Sequence, residues 1–269
     1  MRFRLVAAVA AAALSLAGCS GGGTEAAHDP HAPLKIGVSP TPHGEILQYV
    51  EDNLAKQAGI DLELEKFDDY NRPNEALAHG ELDANYFQHQ PYLQKYQAER
   101  GGDFVWVEPV HLEPLGIHSK KYRSVQEIPA GGRITLPNDP SNQARALKLL
   151  ESQGLIKLKP GAGENATVRD VAENPKNIKL ETLAADQLPR SVDDADAAVV
   201  NGNYAIKAGL TKPIAVENAQ GNPYANGLVT TPKMAKDPRI AKLAELLRSP
   251  QVKNFINAKY GGVAVIPAS

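Results

Sequence analysis

The sequence predicts an α/β protein of two lobes, and three features predict it. Strand-like and helix-like runs alternate along the body of the chain. A second alternating series begins at RITLP (133–137). Between the two series lies FVWVEPVHLEPLGIHS (104–119), which reads as extended chain long enough to pass from one lobe to another. Alternation of this kind argues for sheets covered by helices on both faces. In such sheets ligands sit beyond the strand C-termini, often between domains. At roughly 100–200 residues per domain, 269 residues suit two modest domains or one large one.

LKIGVSP (34–40) is a β-branched run ending in turn residues. Thr41 then offers an N-cap and Pro42 a first helical residue. Ile46, Leu47, Val50 and Leu54 follow at helical spacing and Gly59 closes the helix. LELEKF (62–67) alternates like a strand, and a short helix through Glu75, Ala76 and Leu77 ends at Gly80. DANYFQHQPYL (83–93) reads as a brief strand leading into a helix over 90–99. In the second series Asp139 caps a helix that has Pro140 at its start and Ala144, Ala146, Leu147 and Leu150 on its apolar side. IKLETL (178–183) and DAAVV (196–200) are strands, and YAIKAGL (204–210) is a short helix. GLVT (227–230) is placed to return to the first lobe. Asp237-Pro238 opens a helix with Ile240, Leu243 and Leu247 inward. Ser249-Pro250 opens the last one, with Val252, Phe255 and Ile256 inward and Gly261 as its stop.

The N-terminus has a different character. Arg2 and Arg4 precede an uncharged, mainly apolar run from Leu5 to Ala17. That run is shorter than the roughly 20 residues a spanning helix needs, and it suits a signal peptide over 1–18. It ends in Leu16-Ala17-Gly18-Cys19, which resembles the lipobox of bacterial lipoproteins. The resemblance implies cleavage before Cys19 and acylation of its thiol, hence a lipid anchor facing the extracytoplasmic side of the cell membrane. Cys19 is the single cysteine, so no disulfide competes for it. Residues 19–33, rich in glycine and small polar residues, read as a flexible tether. His28 and His31 lie in it with no packed surroundings to orient them. A metal site would need at least three convergent ligands, and the sequence offers only this pair and scattered residues.

A net charge of −2 without a basic patch excludes nucleic acid as a partner. There is no GxSxG, HExxH or P-loop pattern, and GAG (161–163) lacks the rest of a dinucleotide loop. No cofactor, no metal and no enzymatic role is expected. What the chain offers is a binding site. Of 15 aromatics, eight lie between Phe67 and Trp106, crowded with amides around residue 88. They form either a core or the wall of a pocket. Asn142 and Arg145 fall in the first turns of the helix opened by PNDPSNQAR (137–145). There Arg145 can grip a carboxylate bidentately and the helix N-terminus favours an anion. Asn201 follows the strand DAAVV, and Asn226 stands at the return crossing. Carboxylate donors, ammonium acceptors and an aromatic wall describe a site for an apolar α-amino acid. The plainer alternative makes Arg145 half of a surface ion pair and each asparagine a turn cap.

Seven segments carry a resemblance: DDYNRPNEAL (68–77), LDANYFQHQPYL (82–93), LPNDPSNQARALKLL (136–150), LIKLK (155–159), VAENPKNIKL (171–180), QLPRSVDDADAAVVNGNYA (187–205) and NPYANGLVT (222–230). In colinear order and over nearly all of the body, they resemble the methionine-binding lipoproteins of bacterial ABC importers, the MetQ/NlpA family. The resemblance implies a two-lobed, type II periplasmic-binding-protein fold, with 34–113 plus 226–269 as one lobe and 114–225 as the other. It implies Tyr70, Phe87, His89 and Tyr92 around the methionine side chain, and Asn142, Arg145, Asn201 and Asn226 on its polar groups. Tyr86, Tyr96, Phe104 and Trp106 are left to packing. His111 and Glu113 either border the pocket, with Glu113 on the ligand ammonium, or pair structurally at the hinge. The implied partners are methionine, or a methionine-containing dipeptide, and the permease and ATPase of a transporter. The protein itself is expected to be a monomer.

Overall fold

The apolar periods of the sequence become two sheets with helices packed on them. The computed structural model describes residues 32–262 and 264–268, so the expectations for the signal peptide, Cys19, His28 and His31 lie outside the described residues. Residues 33–269 form one compact unit. The first series gives β1 (Leu34–Val38), α1 (Glu45–Val50), β2 (Leu62–Lys66), α2 (Arg72–Ala78), β3 (Ala84–His89), α3 (Gln90–Arg100) and β4 (Val105–Leu112). The second gives β5 (Gly116–His118), β6 (Arg133–Pro137), α4 (Pro140–Ser152), β7 (Lys157–Leu158), β8 (Val171–Glu173), β9 (Lys179–Leu183), α5 (Leu188–Ser191), β10 (Ala197–Val200), α6 (Gly202–Lys207) and β11 (Ala215–Val216). The chain then forms β12 (Asn226–Thr230), α7 (Pro238–Leu247), α8 (Pro250–Tyr260) and β13 (Ile266–Pro267).

One sheet has six strands in the order β13-β4-β12-β3-β1-β2, the other five in the order β11-β5-β10-β6-β9. Each is mixed. β1 runs parallel to β2 and β3, whereas β12 is antiparallel to β3 and β4. In the second sheet β6 is parallel to β9 and β10, and β5 is antiparallel to β10 and β11. The extended run 104–119 supplies β4 to the first sheet and β5 to the second. β12 brings the chain back to the first sheet.

The helix caps form as the sequence indicates at three places. Asp139, Asp237 and Ser249 accept from the backbone N–H of Asn142, Arg239 and Val252, satisfying donors that helix N-termini otherwise leave open. Two expectations need correction. Thr41 does not cap the first helix: its backbone is extended (φ −138°, ψ 142°), and α1 starts at Glu45 after an irregular turn over Pro40–Gly44. The Thr41–Pro42 peptide is cis, which no local pattern signals. The short helix expected at 204–210 begins at Gly202, directly on the end of β10.

Burial divides the aromatic run by strand alternation. β3 is buried along its whole length, and successive side chains point to opposite faces. Tyr86 packs into the main core of the first sheet with Ile36, Leu47 and Leu228. Phe87 faces the other way, into a cluster with Phe67, Tyr92, Leu93, Tyr96 and Phe104, against which Tyr70 and Trp106 pack. Behind it, Asn74, Asn85 and Gln88 satisfy one another by hydrogen bonds of 2.7–3.0 Å. Buried amides are stable here because each finds a partner. Phe255, expected inward, is half-buried and stacks on Tyr49 at 4.4 Å between ring centroids.

Candidate functional site

A narrow cavity of about 320 Å³, mouth included, lies where residues of the two sheets meet. Tyr70, Phe87, His89 and Tyr92 line one part of it and Asn142, Arg145, Asn201 and Asn226 another. All eight residues that the resemblance assigns to the ligand are thus gathered at one place. Gln88, Glu113, Gly202 and Asn203 complete the lining. The aromatic crowding is therefore both core and wall.

The wall is built edge to face. Tyr92 meets Tyr70 and Phe87 with ring centroids 5.9 Å apart in each case, at steep angles. Such geometry sets the positive edge of one ring against the negative face of the next. The Tyr92 hydroxyl donates to the Tyr70 carbonyl at 2.9 Å, which fixes one ring against the other. His89 caps α3 by accepting from the Tyr92 N–H through Nδ1. That acceptor role assigns the ring proton to Nε2, which donates to Asn142 Oδ1 at 3.0 Å. Burial, reinforced by the Arg145 cation, lowers the His89 pKa to about 3, so the imidazole is neutral.

The polar wall is a chain of oriented amides. Asn142 Nδ2 donates to the Asp139 carboxylate, so its Oδ1 is presented to the His89 and Asn201 donors. Burial raises the Asp139 pKa against the hydrogen bonds from Asn142. Asn201 Nδ2 donates to Asn142 at 3.1 Å, which leaves Asn201 Oδ1 buried without a partner. An unpaired buried acceptor costs about 1–3 kcal/mol, so this oxygen is set for a donor that the protein does not supply.

Arg145 is 4% exposed and Glu217, its partner, 12%. Arg145 Nε donates to Glu217 Oε2 at 3.0 Å and Nη2 to Oε1. Nη2 also donates to the Glu113 carbonyl at 2.9 Å, and the guanidinium lies 4.4 Å over the Tyr224 ring. The bidentate fork that the sequence offered to a ligand is thus engaged by Glu217. Among the described residues Nη1 has no acceptor. Arg145 is a buried pair and not a surface one.

His111 and Glu113 separate. Glu113 lines the cavity. His111 is fully buried and does not: it stands behind Glu113, with Nε2 donating to Glu113 Oε1 at 2.7 Å and the Tyr86 hydroxyl donating to Nδ1. His43, 1% exposed, packs edge-on against Tyr86 and His111. Burial lowers the His43 pKa to about 4 and that of His111 to about 3. Burial also raises the Glu113 pKa, against the opposing influence of His43 and Arg145. Sequence reasoning missed His43, Gln88, Asn203, Glu217 and Tyr224. Asn203 had a signal, standing two residues after Asn201 at the start of α6. Glu217 had none, because its role is a pairing across 72 residues.

Several contacts tie the surroundings of the first sheet to those of the second. The Tyr70 hydroxyl donates to Asn203 Oδ1 at 2.5 Å and the Tyr204 hydroxyl to the Asp68 carbonyl at 2.8 Å. Lys207 pairs with Asp68 at 2.6 Å on the surface. No helix of the described residues is long and apolar enough to cross a membrane.

The family model for the NlpA lipoprotein matches residues 34–269. Over 271 residues the chain is 40% identical to the D-methionine-binding lipoprotein MetQ of Escherichia coli K12, covering 98% of both. It is 41% identical over 236 residues to the membrane lipoprotein TpN32 of Treponema pallidum, covering 87% of each. Among solved structures it is similar to a nutrient-binding protein from Burkholderia cenocepacia bound to methionine. That match has a TM-score of 0.85 at 42% identity and covers 88% of this chain and 100% of the other.

Proposed function

The chain belongs to the NlpA lipoprotein family, and we propose that it captures methionine between two lobes and delivers it to an ABC importer. Its role is binding, without covalent chemistry. The lobes are 34–113 with 226–269, and 114–225. The observation that carries the amino-acid reading is the buried, unpartnered Asn201 Oδ1 on the same cavity wall as the Arg145 cation. An ammonium satisfies the first and a carboxylate meets the second through Nη1. Asn142 and Asn226 complete the polar contacts. The thioether side chain lies among Tyr70, Phe87, His89 and Tyr92, where sulfur against a ring adds about 0.3–1.5 kcal/mol per contact. Glu113 stands at the edge as a second acceptor for the ammonium.

Ligand in the cavity touches residues of both lobes and so favours the closed arrangement, a hinge closure. The contacts from Tyr70 to Asn203 and from Tyr204 to Asp68 belong to that arrangement. Acylation at Cys19 holds the protein, as a monomer, on the extracytoplasmic face of the membrane beside the permease and its ATPase. Tethering raises local concentration, so docking itself can be weak.

Calorimetric titration with L-methionine, D-methionine and a methionine-containing dipeptide tests the reading. Tight one-to-one binding of either free amino acid is expected. Preference for the dipeptide would shift the substrate, and binding of none of the three would refute the proposal.

A further inference from the structure

The amino-acid site makes no use of the two imidazoles buried beside it. We propose that His43, His111 and Glu113 form a binding site for one divalent transition-metal ion of the zinc class, next to the amino-acid cavity and with a ligand position open toward it. This goes beyond the proposed function and stands independently of it.

The three residues come from two separate stretches, the turn before α1 and the end of β4 with its continuation. Their donor atoms nevertheless all lie within 4.8 Å of one another, the single group of three such side chains among the described residues. Two neutral imidazoles and a carboxylate are a donor set suited to zinc and its neighbours. Ligands about 2.0–2.2 Å from a tetrahedral ion stand about 3.3 Å apart. His43 Nε2 and Glu113 Oε1 are already 3.4 Å apart. His111 Nε2 and Glu113 Oε1, at 2.7 Å, share a proton instead and must open by about half an ångström. His111 can release Nε2 by moving its proton to Nδ1, where the Tyr86 oxygen accepts it. A partner on the far ring nitrogen is what orients histidine ligands in metal sites.

His43 is the second, independent observation. It is 1% exposed, and its ring nitrogens lie near Glu113 Oε1 (3.4 Å), the Asn226 side chain and the Thr41 backbone without a hydrogen bond of good geometry to any of them. Buried polar atoms are normally well paired, so a ring whose contacts with a carboxylate, an amide and a backbone group are all loose can exchange them for an ion. Glu113 is shared between the two sites: Oε1 faces the histidines while the side chain lines the cavity. An ion entering through the cavity therefore has three protein ligands and one position left over, the pattern of a zinc site that can exchange its fourth ligand.

The test is titration of the purified, chelator-treated protein with Zn²⁺ alone, by calorimetry and by metal analysis after gel filtration. His28→Ala/His31→Ala is the background, so that the N-terminal pair cannot contribute. One zinc per chain with micromolar or tighter Kd is expected, weakened at least tenfold by Glu113→Gln and by His43→Gln. His43→Gln leaves the hydrogen bond between His111 and Glu113 in place, so it carries the test if Glu113→Gln fails to fold. Absence of stoichiometric zinc, or zinc that persists unchanged in His43→Gln, overturns the proposal. L-Methionine is titrated in parallel into the metal-free protein. Binding there with no zinc site leaves the amino-acid reading standing and removes only this inference.

Discussion

Replacing Glu217 by glutamine removes the charge that holds Arg145 while changing almost no volume. Glu217 accepts from Arg145 Nε at 3.0 Å, from Nη2, and from the Leu115 N–H at 2.9 Å. Glutamine turns one of its two oxygens into a donor, so whichever way it lies an N–H is set against an N–H. The guanidinium is 4% exposed, so water cannot take over. Removing one partner of a buried ion pair costs about 3–5 kcal/mol. The lower end applies here, because the Glu113 carbonyl and the Tyr224 ring still face the cation. For a chain of this size about 3 kcal/mol lowers Tm by roughly 6–12 °C. Urea unfolding should show a lower midpoint at unchanged m. The specificity of the effect is checked in an Arg145→Met background, where Glu217→Gln should cost much less because there is no buried cation to strand. An unchanged midpoint in the first variant, or the same loss in both backgrounds, would refute the reasoning.

Tyr70→Phe keeps the ring of the aromatic wall and deletes the hydrogen bond to Asn203. At about 0.5–1.5 kcal/mol for such a bond, methionine affinity should fall roughly two- to twelvefold in calorimetry, and an unaltered Kd would mean the bond does not help closure. Gly227→Ala places a Cβ 2.3 Å from the Glu108 carbonyl oxygen and 2.5 Å from Trp106, where β12 passes β4. Backbone cannot yield as a side chain can, so a loss of at least about 1–3 kcal/mol is expected from chemical denaturation; wild-type stability would show that the strand shifts freely. Burial lowers the His118 pKa to about 4, below the roughly 6.5 of an unfolded histidine. Its neutral form therefore contributes stability that is whole above pH 6.5 and is lost as pH falls toward 4. Each such histidine steepens the loss by about 1.4 kcal/mol per pH unit at most, so His118→Gln should flatten the stability–pH curve between pH 6 and 4.5. A curve of unchanged slope would exclude His118 as a contributor.

Much of this molecule is written locally. The alternation of apolar periods determines the strands and helices, because each period places one face against a neighbour wherever that neighbour is. Asp139 and Ser249 are legible as caps because a cap bonds to a backbone N–H within the next turn. Asn142, Arg145 and Asn201 are legible as site candidates because element ends in an α/β sheet face the ligand side. Tyr86 and Phe87, adjacent in sequence, could be known to point apart once their strand was recognised, but not which of them met the cavity. That is decided by which face of the first sheet the second approaches. Tertiary structure alone sets Glu217 on Arg145, across 72 residues, and His43 against Glu113. A charge pair or a cluster of donors is a relation in space with no period along the chain. Only folding, by stripping water from these groups, makes their partners matter.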